Sequence, residues 1–145
     1  MTEAHEDLVG RTLDGRYEVT ARIGGGGMGA VYEGVQLGLG RPVAIKVLHR
    51  LLGGDRVELG RFRREAEAAA SLAHPHVVEI YDFNDTGPLP YIVMERLRGR
   101  SLAKLIEAEG RLEVSRVVTV ALQVLSALGA AHGERIVHRD LKPAN

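Results

Sequence analysis

The stretch "RIGGGGMGAVYEG", Arg22 to Gly34, sets four consecutive glycines just after a strand-like segment. Glycine costs regular structure roughly 0.5–1 kcal/mol relative to alanine. A run of four is therefore either slack chain or backbone that must come very close to something. Within it Gly24, Gly26 and Gly29 have the spacing G-x-G-x-x-G, followed by Val31. In a dinucleotide-binding βαβ unit that spacing opens a helix; here it opens "AVYEGVQ", whose alternation and β-branched content read as a strand. No Gly-Lys-Ser/Thr follows, which excludes a Walker-type loop. Linkers rich in glycine usually carry serine and join independent units, and a plain hairpin turn is the other bland alternative. Beyond these, the residues allow a glycine hairpin whose bare amides lie over phosphate oxygens, where any Cβ would obstruct approach.

Working outward, Tyr17, Val19, Ala21 and Ile23 alternate with Arg16, Glu18, Thr20 and Arg22, which predicts a half-buried strand. Val31, Glu33, Val35 and Leu37 share one face of a second strand. "LGLGR" marks a turn, and "PVAIKVL" (Pro42 to Leu48) a third strand with its proline at the start. Phe62, Ala66, Ala69 and Ala73 recur at helical spacing, predicting a helix over 55–73 that "HPH" ends. "VVEIYDF" and "PYIVMERL" are two more strand candidates around the turn at 87–90. From Ser101 the chain reads as helical, first "SLAKLIEAEG". A longer helix over about 113–132 follows, with Val114, Val117, Val118, Ala121, Leu122, Leu125 and Leu128 on one face. The expected fold is α+β: a five-stranded antiparallel sheet with one helix, then the opening helices of a second part.

Bulk composition agrees with one soluble domain. The chain has 145 residues, 45% hydrophobic and 26% charged, and Lys+Arg and Asp+Glu both total 19. No net field draws it toward nucleic acid or anionic lipid. Cysteine is absent, which excludes disulfides and thiolate metal sites and fits a reducing compartment. The acidic, polar start "MTEAHEDLVG" is unlike a secretory signal. The apolar stretch Val117 to Ala131 is interrupted by Thr119, Gln123, Ser126 and Gly129, and is expected to fall short of the ~20 apolar residues that cross a bilayer. The segment is expected to be cytoplasmic, without membrane contact.

Lys46 lies in the middle of an apolar strand, where most lysines face solvent. Pointed toward the glycine hairpin it would neutralise phosphates, and would then need a carboxylate partner. The helix after Asp55 offers Glu58 and Glu65 beside its apolar stripe and Glu67 farther round, so periodicity alone does not choose among them. "HRDLKPAN", His138 to Asn145, holds an aspartate and an asparagine five residues apart. One can accept a hydroxyl proton while the other holds a metal, although Asp, Pro and Asn are also ordinary turn residues. His74 and His76, without further ligands, read as a helix stop.

The glycine hairpin, "VAIK" and "HRDLKPAN" standing in this order resemble the eukaryotic-type (Hanks-type) protein kinases, in particular the bacterial serine/threonine kinases. The resemblance runs from Tyr17 to Asn145. It implies an N-terminal extension over 1–15, a sheet lobe with the hinge over 16–97, and the start of the helical lobe over 98–145. By the family pattern ATP lies under Ile23, Gly24, Gly25, Gly26, Gly27, Met28, Gly29, Ala30 and Val31. Lys46 binds its α- and β-phosphates, and "FRREA" selects Glu65 as the lysine's partner. Met94 becomes the gatekeeper; the backbone of Glu95 and Leu97 bonds adenine, which Ile23, Val31 and Ala44 sandwich. Asp140 is implied as catalytic base, Lys142 as the group reaching the transferred phosphate, and Asn145 as a Mg2+ ligand. His138 is expected to support the loop backbone. The implied activity is ATP-dependent phosphoryl transfer to Ser and Thr hydroxyls of protein substrates, with no nucleic-acid partner and with room for self-association through the sheet lobe. Asn145 precedes the family's Asp-Phe-Gly, activation segment and Ala-Pro-Glu, so this chain is expected to be inactive alone. The alternative is a nucleotide-binding pseudokinase or scaffolding module, which usually lacks one of the residues found here.

Overall fold

A computed structural model describes residues 7–26, 29–48, 56–87 and 89–145. They divide into two compact units, one made by residues up to Glu67 together with Ile80–Arg96, the other by Ala68–Glu79 with Leu97–Asn145. The assignment of Ala68–Glu79 to the second unit is something no linear division of the chain anticipates.

In the first unit, β1 (Thr12–Leu13), β2 (Tyr17–Gly26), β3 (Gly29–Gln36), β4 (Arg41–Leu48), β5 (Ile80–Asn84) and β6 (Tyr91–Glu95) form one sheet in the order β1-β2-β3-β4-β6-β5. Every pairing is antiparallel. The sheet therefore has six strands, where five were expected. The extra strand is only two residues long, too short for periodicity to register. Its signal was the Asp14-Gly15 dipeptide, which supplies two successive left-handed residues (φ 48° and 65°) closed by Arg16 N–H donating to the Leu13 carbonyl at 2.9 Å.

The sheet has two unlike faces. One carries Tyr17, Val19, Ala30, Tyr32, Val43, Ile45, Val47, Tyr91 and Val93, packed together with Leu8. The other buries Leu48 and Ile92 under Phe62 and Ala66 of α1 (Arg56–Ser71). Two register shifts in β2, between Val19 and Ala21 and between Arg22 and Gly24, break the expected single face from Tyr17 to Ile23. An inserted residue flips every following side chain to the opposite face. Ala21 consequently pairs with Glu33, and Ile23 is 48% exposed. In β3 the buried residues are Ala30, Tyr32 and Gly34, while Val31, Glu33 and Val35 are half-buried on the face that also carries Lys46. Gly34 is required by packing: a Cβ there would lie 2.6 Å from the Glu18 carbonyl oxygen and 2.7 Å from Ile45 Cδ1.

The second unit holds α2 (Leu102–Glu109) and α3 (Val114–Gly133). Ser101 caps α2 by accepting from Lys104 N–H at 3.3 Å, and Gly110 ends it with φ 71°. α3 is twenty residues long and contains an eighteen-residue window with a mean hydropathy of 1.6. By length and composition alone it is long and apolar enough to cross a bilayer, where the stretch Val117 to Ala131 was expected to fall short.

Candidate active site

The strand register explains where Lys46 stands. Its neighbours across β4 are Val31 of β3 and Ile92 of β6, and the next row is Glu33, Ala44 and Met94. Lys46 Nζ lies 2.5 Å from Glu65 Oε1 of α1. The two carboxylates that sequence left open are thus separated: Glu58 accepts from Arg61 at 2.8 Å through one oxygen, and its other oxygen is buried without a partner among the described residues. Lys46 and Glu65 border a cleft of about 130 Å³ with Gly29, Leu48, Glu58 and Phe62.

The glycines differ in what demands them. A Cβ at Gly26 would meet nothing within 4 Å, and one at Gly24 only Val31 Cβ at 4.0 Å. Among the described residues, then, side-chain packing forces glycine at neither position. A Cβ at Gly25 would be tight, 3.1 Å from the Gly29 carbonyl oxygen. At Gly29 it would lie 2.3 Å from the Val47 carbonyl oxygen, so β4 itself excludes a side chain. Gly27 and Met28, also assigned to the flap, lie outside the described residues.

Ala44 is buried, Val31 and Met94 are half-buried, and Met94 packs against the cluster under α1. Glu95 ends β6, and Leu97, 61% exposed, begins the second unit. Between them Arg96 donates to Glu33 in an ion pair that sequence reasoning missed. It joins residues 63 positions apart, and nothing local announces such a pair.

In the second unit, the loop after α3 is held by backbone hydrogen bonds, one of them from α2. Ala103 N–H of α2 donates to the Pro143 carbonyl at 2.8 Å, and Asn145 N–H to the Lys142 carbonyl at 3.0 Å. His138 Nδ1 accepts from Asp140 N–H at 3.3 Å, and Arg139 is left-handed (φ 63°). Lys142 Nζ lies 2.8 Å from Asp140 Oδ2, and Asn145 Nδ2 donates to the Asp140 carbonyl at 2.6 Å. The Lys142 ammonium holds the Asp140 carboxyl below its ordinary range, keeping it ionised as an acceptor. Asp140, Lys142 and Asn145 are therefore one constellation, with the Asn145 amide oxygen distinct from the atom that bonds backbone. Hard oxygens of this kind suit Mg2+, which takes few protein ligands and keeps its own waters. No group of three or more acidic or His side chains is arranged to hold a metal among the described residues. His74 Nδ1 accepts from His76 N–H at 3.1 Å, and its Nε2 lies 3.0 Å from Ser126 Oγ, so its ring nitrogens are engaged in the fold.

Residues 17–145 match the sequence model of the family described as "Protein kinase domain". The chain belongs to the protein kinase family. Among curated relatives this kinase chain is 44% identical over 138 residues to serine/threonine-protein kinase PrkC of Bacillus subtilis, covering 95% of itself and 21% of PrkC. It is 42% identical to serine/threonine-protein kinase PknL of Mycobacterium tuberculosis, covering all of itself and 37% of PknL. Among solved structures the PknI kinase domain of M. tuberculosis superposes with a TM-score of 0.81 at 31% identity, over 96% of this chain and 56% of that one. The chain thus spans a fifth to little more than a third of these curated relatives' length.

Proposed function

We propose that this kinase chain carries the ATP-binding flap, phosphate lysine and catalytic loop of an enzyme that transfers the γ-phosphoryl group of ATP to Ser or Thr hydroxyls of proteins. The observation that carries the reading is the Lys46–Glu65 pair at 2.5 Å, a lysine held on the sheet face in a cleft that Gly29 of the glycine hairpin also borders. In this reading the amides around Gly24 and Gly26 bond the phosphates, and Lys46 neutralises them as a point charge. Adenine lies against Val31, Ala44 and Ile23 and is bonded by the backbone at Glu95 and Leu97. Asp140 orients the substrate hydroxyl and accepts its proton, and Lys142 reaches the transferred group. Asn145 contributes an oxygen to Mg2+, which supplies charge neutralisation on the phosphates when bound. Self-association through the sheet unit and a cytoplasmic location belong to the same proposal.

The test measures MgATP binding by calorimetry for the wild-type chain and for Lys46→Ala, then phosphoryl transfer by the longest available form of the protein. Binding lost in Lys46→Ala, with transfer to Ser or Thr abolished by Asp140→Asn, is expected. Binding without transfer in that longest form would favour the scaffolding reading, and equal binding by both chains would overturn the site.

A further inference from the structure

The Lys46 and Glu65 side chains are 33% and 59% exposed, and pairs this open to water contribute only about 0–1 kcal/mol. Such a pair cannot by itself set the rotation of a sixteen-residue helix. The apolar contacts of Phe62 and Ala66 hold α1 down, yet an apolar stripe tolerates rolling. Helix geometry shows what opposes a roll. At 100° per residue, Glu65 lies about 80° to one side of the line midway between Phe62 and Ala66, and Arg63 about 80° to the other. The two flanks are both tied. Glu65 reaches Lys46, while Arg63 reaches Asp85, just past β5, with Nε at 2.7 Å from Oδ2 and Nη2 on the same oxygen. Beside this, the Phe62 and Phe83 rings meet at 5.9 Å.

The Asp85 end is a fixed anchor. Its side chain is only 11% exposed. Asn84 accepts from both the N–H and the hydroxyl of Thr86 at 2.9 Å and donates to Asp14 at 2.5 Å, closing the loop around it. We propose that Arg63 and Asp85 are positioning residues: their clamp fixes the roll of α1, and thereby keeps the Glu65 carboxylate within reach of Lys46. The role in phosphoryl transfer rests on the kinase reading above; the coupling itself does not.

The experiment measures how fast Lys46 is modified by acetic anhydride in the nucleotide-free chain, read by mass spectrometry, with Tm recorded for every variant. Glu65→Gln should speed modification roughly twofold to fivefold, the loss of one exposed pair. Arg63→Gln and the milder Asp85→Asn should each give most of that increase. In the Glu65→Gln background, Arg63→Gln should add nothing, because it acts through Glu65. The exchanged pair Arg63→Asp with Asp85→Arg should restore slow modification. A clamp that merely stabilised the unit would instead speed labelling equally with and without Glu65, and that result overturns the proposal. So does unchanged labelling in Arg63→Gln and Asp85→Asn while Glu65→Gln responds. Protection of Lys46 by MgATP reads the kinase assignment separately: its absence alongside the expected cycle would sink that assignment and leave the coupling standing.

Discussion

A methyl group at Gly29 and one at Gly26 fail for different reasons, and the difference can be measured. At Gly29 the new carbon would lie 2.3 Å from the Val47 carbonyl oxygen, so Gly29→Ala should force β3 off β4. Overpacking of this kind costs about 1–3 kcal/mol; the expected outcome is a lower Tm. At Gly26 no described residue lies within 4 Å of the new carbon, so Gly26→Val should leave Tm nearly unchanged. It should weaken MgATP binding on the order of tenfold, the loss of one charge-assisted amide contact. Calorimetric ATP affinity equal to wild type would remove the flap from the site. The glycine run was legible because its spacing is local. Gly34 was not, since its need arises from Glu18 and Ile45, one on each neighbouring strand.

At the scale of elements, the Lys46–Glu65 pair links the sheet to the helix that Phe62 and Ala66 pack onto it. Lys46→Ala and Glu65→Ala should each impair nucleotide binding, and the double variant should be much less than additively worse. Additive losses would mean that the two side chains act independently. The strand edge makes a second prediction. Tyr17 donates to Asp82 at 2.7 Å and Tyr91 donates to Asp14. Burial first, and then these carboxylates, push both phenols from 10.0 up to about 12. A raised phenol pKa means that the fold favours the neutral form, so this stability is present below pH 10 and is lost as pH rises through about 12. Denaturant titrations should show that alkaline limb, and Tyr91→Phe should flatten it; an unchanged limb would place its origin elsewhere. Elements with long, regular periodicity, α1 and α3 above all, were readable from sequence. The bulges in β2 were not, because an extra residue in a ladder depends on the partner strand rather than on its own side chains.

At the scale of the whole molecule, the kinase motifs fall in different compact units. Lys46 and Glu65 belong to one compact unit, Asp140 and Asn145 to the other, and the loop "HRDLKPAN" is fully legible as a motif but not as a geometry. Its Asp140–Lys142 contact joins groups 68% and 51% exposed, so solvent competes for both. α3 presents Val114, Leu122 and Leu125 at 77%, 63% and 62% exposure, an apolar face that soluble proteins seldom leave uncovered. Phosphoryl transfer depends on placement, and a shift of about 1 Å already costs on the order of 100-fold. With Asn145, the proposed Mg2+ ligand, in an exposed loop, the 145-residue chain should bind nucleotide weakly and turn over no faster than its Asp140→Asn variant. The measurement supplies ATP, Mg2+ and a generic Ser/Thr substrate to both chains and compares initial rates. Turnover clearly above the variant would show that residues 1–145 complete their own metal site, and self-association, read by sedimentation at the same concentrations, would then be the first explanation to examine.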